Sequence, residues 1–162
     1  MNINFYGAVY SMKELLPIIL DSPSPAVVNI DSSAALMPLA GTSVYSASKA
    51  ALKAYTEAVR EELRGRCYVG VICPGFTQTD IFRSQNLTEE REQKIIGAVS
   101  TSLDYAVKRI LKSIAKKREL TVIGADAKFM SIFGRLMPVK CGRAVSRVLK
   151  KSGFKLFDGV FK

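Results

Sequence analysis

Three short runs of apolar and β-branched residues, "AVVNID" (26–31), "CYVGVICPG" (67–75) and "LTVIG" (120–124), limit this chain's possible folds more than anything else in it. Each run is continuous rather than alternating, the mark of a strand buried on both faces, and such strands belong to parallel sheets. Segments of helical periodicity lie around them. Residues 1–20 carry Phe5, Val9, Met12, Leu15, Leu16 and Ile19 at helical spacing, with Pro17 expected to bend or weaken the last turn. "DSPSP" (21–25) then breaks the chain. Residues 43–64 read as a long helix whose Ala47, Ala50, Ala51, Ala54 and Ala58 give a small-residue face able to pack closely on a neighbour or on the sheet. The helical pattern returns over 104–117 through Val107, Ile110, Leu111 and Ile114, and again over 125–151 with an interruption at Pro138. Strands alternating with helices imply an α/β fold with a parallel sheet and right-handed crossovers. In such sheets the chemistry sits beyond the carboxyl ends of the strands, where Ser32-Ser33 and Pro74-Gly75 both fall.

The 162 residues suit one domain with a moderate core. No apolar run reaches the roughly 18 residues of a spanning helix, and no basic-then-apolar leader opens the chain. Cys67, Cys73 and Cys141 share no metal-ligand spacing, and histidine is absent. That composition argues against a zinc site and against a Ser-His-Asp nucleophile system. A reducing cytoplasm is the expected compartment. The net charge of +10 is unevenly spread. Residues 1–107 hold nine Lys/Arg against eleven Asp/Glu, a balance of −2, whereas 108–162 hold fifteen against three, a balance of +12. Basic blocks usually form solvated helix faces; an anionic membrane surface is the sharper alternative. No nucleic-acid signature accompanies this block, so no nucleic-acid partner is expected.

Tyr45 and Lys49 stand at i and i+4, so both project from one helix face. An ordinary tyrosine phenol titrates near pH 10, too high for acid–base work at neutrality, and lowering it to about 7 takes roughly 4 kcal/mol of phenolate stabilisation. A neighbouring ammonium can supply much of that. Ser32, at a strand end, could enter the same site with a hydroxyl that both donates and accepts. The pair alone is weak evidence, since a surface lysine beside a packed tyrosine is the ordinary reading.

Context strengthens it. "NFYG" (4–7), "VVNIDSS" (27–33), "YSASKAAL" (45–52) and "PGFTQT" (74–79) occur in an order and spacing that resembles the catalytic half of the short-chain dehydrogenase/reductase family. The likeness is close over residues 1–82 and one of pattern only over 104–124. It implies a Rossmann-like doubly wound sheet, here the second half, with three strands and flanking helices. It implies Tyr45 as general acid/base, Lys49 as the group that bonds the nicotinamide ribose and lowers the phenol's pKa, Ser32 as the hydroxyl polarising the substrate oxygen, and Asn4 as the holder of a relay water. Pro74, Gly75, Thr77 and Thr79 would contact the nicotinamide end of an NADP or NAD cofactor, the basic chain tilting the expectation to NADP. The implied substrate is a small carbonyl or alcohol, and the implied assembly a homo-oligomer paired through the helices at 1–20 and 43–64. Ser33 is the adjacent candidate for the serine's role, and plainer roles stand beside all of these: a helix-start cap for Asn4, a following-helix cap for Thr79, a turn for Pro74-Gly75 and a structural role for Ser33. Asp31 departs from the family, which usually has serine there.

The family's Gly-rich phosphate turn does not occur in this sequence, and the chain resembles the family only from its fourth helix onward. The reading is therefore of one partial domain over 1–162, a truncated piece of a complete oxidoreductase; the rival is an inactive or partner-dependent remnant. Residues 76–97 would be a substrate-loop region, and 125–162 a basic amphipathic helix or tail. In the latter, Phe129, Ile132, Phe133, Leu136 and Met137 form an apolar face expected to cover the substrate cleft or a subunit contact, with membrane-surface binding the less favoured role. Those side chains and Ile81-Phe82 suit a hydrophobic carbonyl substrate.

Overall fold

The computed structural model describes residues 1–78, 97 and 100–152, with side chains as far as 148. Thr79, Ile81, Phe82 and most of 76–97 lie outside the described residues, as does the tail beyond 152. The elements run β1 (Ala26–Ile30), β2 (Tyr68–Pro74) and β3 (Leu120–Ile123), with α1 (Gly7–Leu20), α2 (Ser43–Glu62), α3 (Leu103–Ala115), α4 (Ala125–Leu136) and α5 (Pro138–Ser152). A π-helical turn over Asn2–Tyr6 leads into α1, and a 3-10 turn, Ser33–Ala35, follows β1. The strands form one parallel sheet in the order β1-β2-β3. Ala26 to Ile30 pair with Tyr68 to Ile72, and Val71 to Pro74 with Leu120 to Ile123. This is the α/β, Rossmann-type architecture expected from the sequence.

Side-chain alternation along the strands assigns the helices to faces. On one face Val27 and Val69 meet Met12 of α1 and Val59 and Leu63 at the end of α2. On the other, Val28, Ile72 and Ile123 meet Ala106 and Ile110 of α3. Val27 and Val28 are adjacent, so α2 and α3 lie on opposite faces. Both crossovers step the same way across the sheet, and connections on opposite faces must then be of opposite hand. The expected right-handedness therefore holds for only one of them. The connection from β2 to α3 is long (75–102), so β2 does not feed α3 directly, the arrangement on which the right-handed preference rests.

Polar ties fix α2 on the sheet. Asn29 Nδ2 donates to Thr56 Oγ1 at 2.9 Å, and Thr56 Oγ1 donates to the Leu52 carbonyl at 2.7 Å. Arg60 donates from Nε to the Val69 carbonyl (2.9 Å) and from Nη2 to that of Glu119 (2.7 Å), clamping two chain segments. The buried face of α2 is Ser48, Leu52, Thr56 and Val59; Ala47, Ala50, Ala54 and Ala58 point to solvent, so the alanine face does not pack on the sheet. Pro17 sits inside α1 without ending it, because in the last turn its missing N–H removes only one helical bond.

The C-terminal helices pack on the loop after β1. Met130 of α4 and Cys141 of α5 are buried against Met37, with Leu39 and Val145 alongside. At Gly134 the approach is very close: a Cβ there would stand 2.9 Å from Met37 Cβ and 3.1 Å from the Leu36 carbonyl, so only glycine fits without a shift. Phe129, Ile132, Phe133, Leu136 and Met137, expected to cover the substrate cleft or a subunit contact, are exposed on this single chain. The inner face is made of smaller residues, Ala127 and Gly134, beside Met130.

Candidate active site

β1 ends by delivering Asp31 and Ser32 to the carboxyl edge of the sheet, where the Asp31 amide still donates to the Ile72 carbonyl at 2.7 Å. Ser32 then leaves the strand and caps the 3-10 turn, its Oγ accepting from the Ala34 amide at 3.1 Å. A hydroxyl that accepts in this way keeps its proton as a donor. Ser33, by contrast, is buried in the turn, as its structural reading expects.

Tyr45 and Lys49 lie in the first turns of α2, on one face, at the end nearest that edge. Lys49 Nζ donates to the Ile30 carbonyl at 3.1 Å, two residues before Ser32. The ammonium is therefore held at the strand end. Tyr45 is 43% exposed. Asn4 Nδ2 donates to Ser48 Oγ at 3.2 Å, and Ser48 Oγ donates to the Tyr45 carbonyl at 2.7 Å. No side-chain cap bond is made at the start of the π-helical turn or of α1, so Asn4 braces the turn carrying Tyr45 instead of capping its own helix.

The second strand end is tightly bonded. The Gly75 amide donates to the Ile123 carbonyl (2.8 Å), the Phe76 amide to Asp126 Oδ2 (2.7 Å), and the Thr77 hydroxyl to the Gly75 carbonyl (3.2 Å). Thr77 also forms a bridge with Thr101. Pro74-Gly75 is thus a turn locked onto β3 and α4. Asp126 was not apparent as a site residue from its position in the chain; only folding brings its carboxylate against a backbone fifty residues away. A Cβ on Gly75 would stand 2.1 Å from Asp126 Oδ2. Gly75→Ala is accordingly expected to push the carboxylate off the Phe76 amide and lower stability by about 1–3 kcal/mol, the worth of a charge-assisted bond. Thermal unfolding of the variant against the parent measures it, and an unchanged midpoint would show that the carboxylate moves freely.

The least expected member is Asp31. It is 5% exposed, and both carboxylate oxygens lie without a hydrogen-bond partner among the described residues. Burial pushes its pKa up from 3.8 to about 7, against the lowering influence of the nearby Lys49 and Lys53 ammonium groups. Cys73, below it on the same face, has its thiol pushed up to about 12, chiefly by burial and then by the Asp31 charge. A thiol in that state is inert, not nucleophilic.

The chain matches the short chain dehydrogenase family model over residues 1–90. It is 30% identical over 160 residues to "Putative oxidoreductase SadH" of Mycobacterium tuberculosis, a match covering 93% of this chain and 58% of that protein. It is also 30% identical over 141 residues to "11-beta-hydroxysteroid dehydrogenase-like 2" of Arabidopsis thaliana, covering 85% of this chain and 44% of the relative. This chain thus spans roughly half the length of the relatives it matches. Among solved structures, a short chain dehydrogenase from Burkholderia cenocepacia in complex with NADP superposes with a TM-score of 0.72 at 24% identity, over 88% of this chain and 55% of that one. At that identity the likeness establishes the fold.

Proposed function

Because this chain belongs to the short-chain dehydrogenase/reductase family, we propose that the full-length protein moves hydride between a nicotinamide dinucleotide and a carbonyl or alcohol carbon, with Tyr45 as its acid–base group. The observation that carries this reading is the tether of Lys49 Nζ to the Ile30 carbonyl, which holds an ammonium at the strand end beside Ser32 and on the face that bears Tyr45. The donor set fits the nicotinamide end of such a cofactor. The Lys49 ammonium and the Tyr45 hydroxyl match the oxygens of a ribose, and the Thr77 hydroxyl oxygen, whose proton goes to the Gly75 carbonyl, can accept from a carboxamide N–H. Bound there, the cofactor supplies or takes the hydride.

In the reducing direction Tyr45 Oη gives its proton to the substrate oxygen as negative charge develops on it. Ser32 donates its O–H to the same oxygen and so orients the carbonyl and stabilises that charge. The Lys49 ammonium stabilises the phenolate left behind. Oxidation runs these steps backwards, with the phenolate as base. Asn4 holds the Tyr45 turn through Ser48, and the family's relay water is assigned to it. With the Gly75 and Phe76 amides and the Thr77 hydroxyl proton already bonded within the protein, the nicotinamide contact in this stretch is assigned to the Thr77 hydroxyl oxygen as an acceptor. Thr79 keeps its assigned contact from the family motif. The net charge of +10 favours NADP(H), the more anionic cofactor, and the substrate class is a hydrophobic carbonyl. Homo-oligomer pairing is assigned to α1 and the exposed alanine face of α2.

Steady-state oxidation of NADPH and NADH by the full-length protein over a panel of ketones and aldehydes, steroid and fatty ketones included, tests the reading. Turnover of at least one carbonyl is expected. Tight cofactor binding with no turnover on any of them would overturn it.

A further inference from the structure

We propose that the α4–α5 pair is a docking surface for an anionic lipid bilayer, on which α4 lies in the interface plane. In α4 the exposed side chains Phe129, Ile132, Phe133 and Leu136 fall at i, i+3, i+4 and i+7, a single apolar stripe, with Ile132 55% and Leu136 72% exposed. The Phe129 and Phe133 rings lie against each other, centroids 4.7 Å apart, which makes the stripe continuous. Lys128 and Arg135 flank it on one side of the helix. In α5 the exposed arc carries Lys140, Arg143 and Arg147. Each exposed face lies on the side of its helix opposite the shared buried cluster of Met37, Met130 and Cys141.

Charge decides the occupant. Among the described side chains the α4–α5 pair carries Lys128, Arg135, Lys140, Arg143 and Arg147 against one carboxylate, Asp126, which is turned to the Phe76 amide. A second copy would bring two such surfaces together, and nucleic acid would leave a Phe/Ile/Leu stripe unburied. A bilayer with acidic headgroups satisfies both halves, acyl chains covering the stripe and phosphates meeting the cations. Among the described residues no helix is long and apolar enough to cross a membrane, so the contact proposed is a surface one. The inner side of α4 rests on the loop that follows Ser32, so the docked face would lie one helix away from the site proposed above. The inference itself stands whether or not that site turns over a substrate.

The test is co-sedimentation of the full-length protein with vesicles of phosphatidylcholine alone and vesicles containing about one-third phosphatidylserine. Binding to the acidic vesicles is expected to exceed that to the neutral ones at least about tenfold and to weaken as salt is raised. Arg143→Glu with Arg147→Glu should lower acidic-vesicle binding at least about tenfold and flatten the salt dependence. Ile132→Glu with Phe133→Glu should abolish binding to both, and circular dichroism checks that these surface variants remain folded. No binding of the parent chain to acidic vesicles overturns the proposal. So does binding that survives the Ile132/Phe133 change, or a parent dimer that this change turns into a monomer while vesicle binding persists.

Discussion

Tyr45→Phe in the full-length protein is expected to lower kcat for carbonyl reduction by about 10²- to 10⁴-fold, the usual worth of a positioned general acid. The KM for substrate should change far less, because the phenol proton matters most when charge develops on the substrate oxygen. Stability should hardly move. The side chain is 43% exposed, and the bond that braces its turn, from Ser48 Oγ, goes to the Tyr45 backbone carbonyl and survives the substitution. Loss of turnover with an unchanged thermal midpoint is therefore the expected pair of results. A variant with turnover close to the parent's would remove Tyr45 from the chemistry, and with it the reading of Lys49 and Ser32 as its partners.

The second large effect belongs to Asp31. Its folded pKa of about 7 lies above the ordinary 3.8, so between those values the folded state holds a proton that the unfolded chain has released. Stability must then fall as pH rises through about 4 to 7 and level off above, where the buried carboxylate is ionised. The full cost of that ionisation is on the order of 4 kcal/mol. Asp31→Asn keeps the shape and removes the titration. The variant should unfold like the parent near pH 4 and be the more stable of the two at pH 8, by up to a few kcal/mol. Denaturant unfolding at the two pH values measures the difference. Equal stability at pH 8 would mean that the Lys49 ammonium already compensates the charge.

Much of this was legible along the chain, for reasons of local physics. Strands buried on both faces need unbroken apolar runs, so β1, β2 and β3 could be placed to within a residue or two of their ends. The i, i+4 spacing puts Tyr45 and Lys49 on one face in any helix, whatever surrounds it. Pro138 was expected to interrupt the last helix, and it occupies the first position of α5, where its missing N–H costs nothing. Pairings between distant segments left no such trace. Nothing near Asn4 announces Ser48, and nothing near Asp126 announces the Phe76 amide.

Element types, their order, the parallel sheet and the shared face of tyrosine and lysine follow from residue pattern alone, because each depends on neighbours within a turn or a strand. Which face α3 takes, and hence the hand of its crossover, follows from how three separate layers close on one another. The same is true of α4, which carries two stripes either of which could have gone inside. The small one did, since Met37 and the Leu36 carbonyl approach Gly134 more closely than any larger side chain permits, and the phenylalanines were left to solvent. Asp31 lost its water for a like reason: α2 and the strand ends close over it together, and no single segment could have shown that.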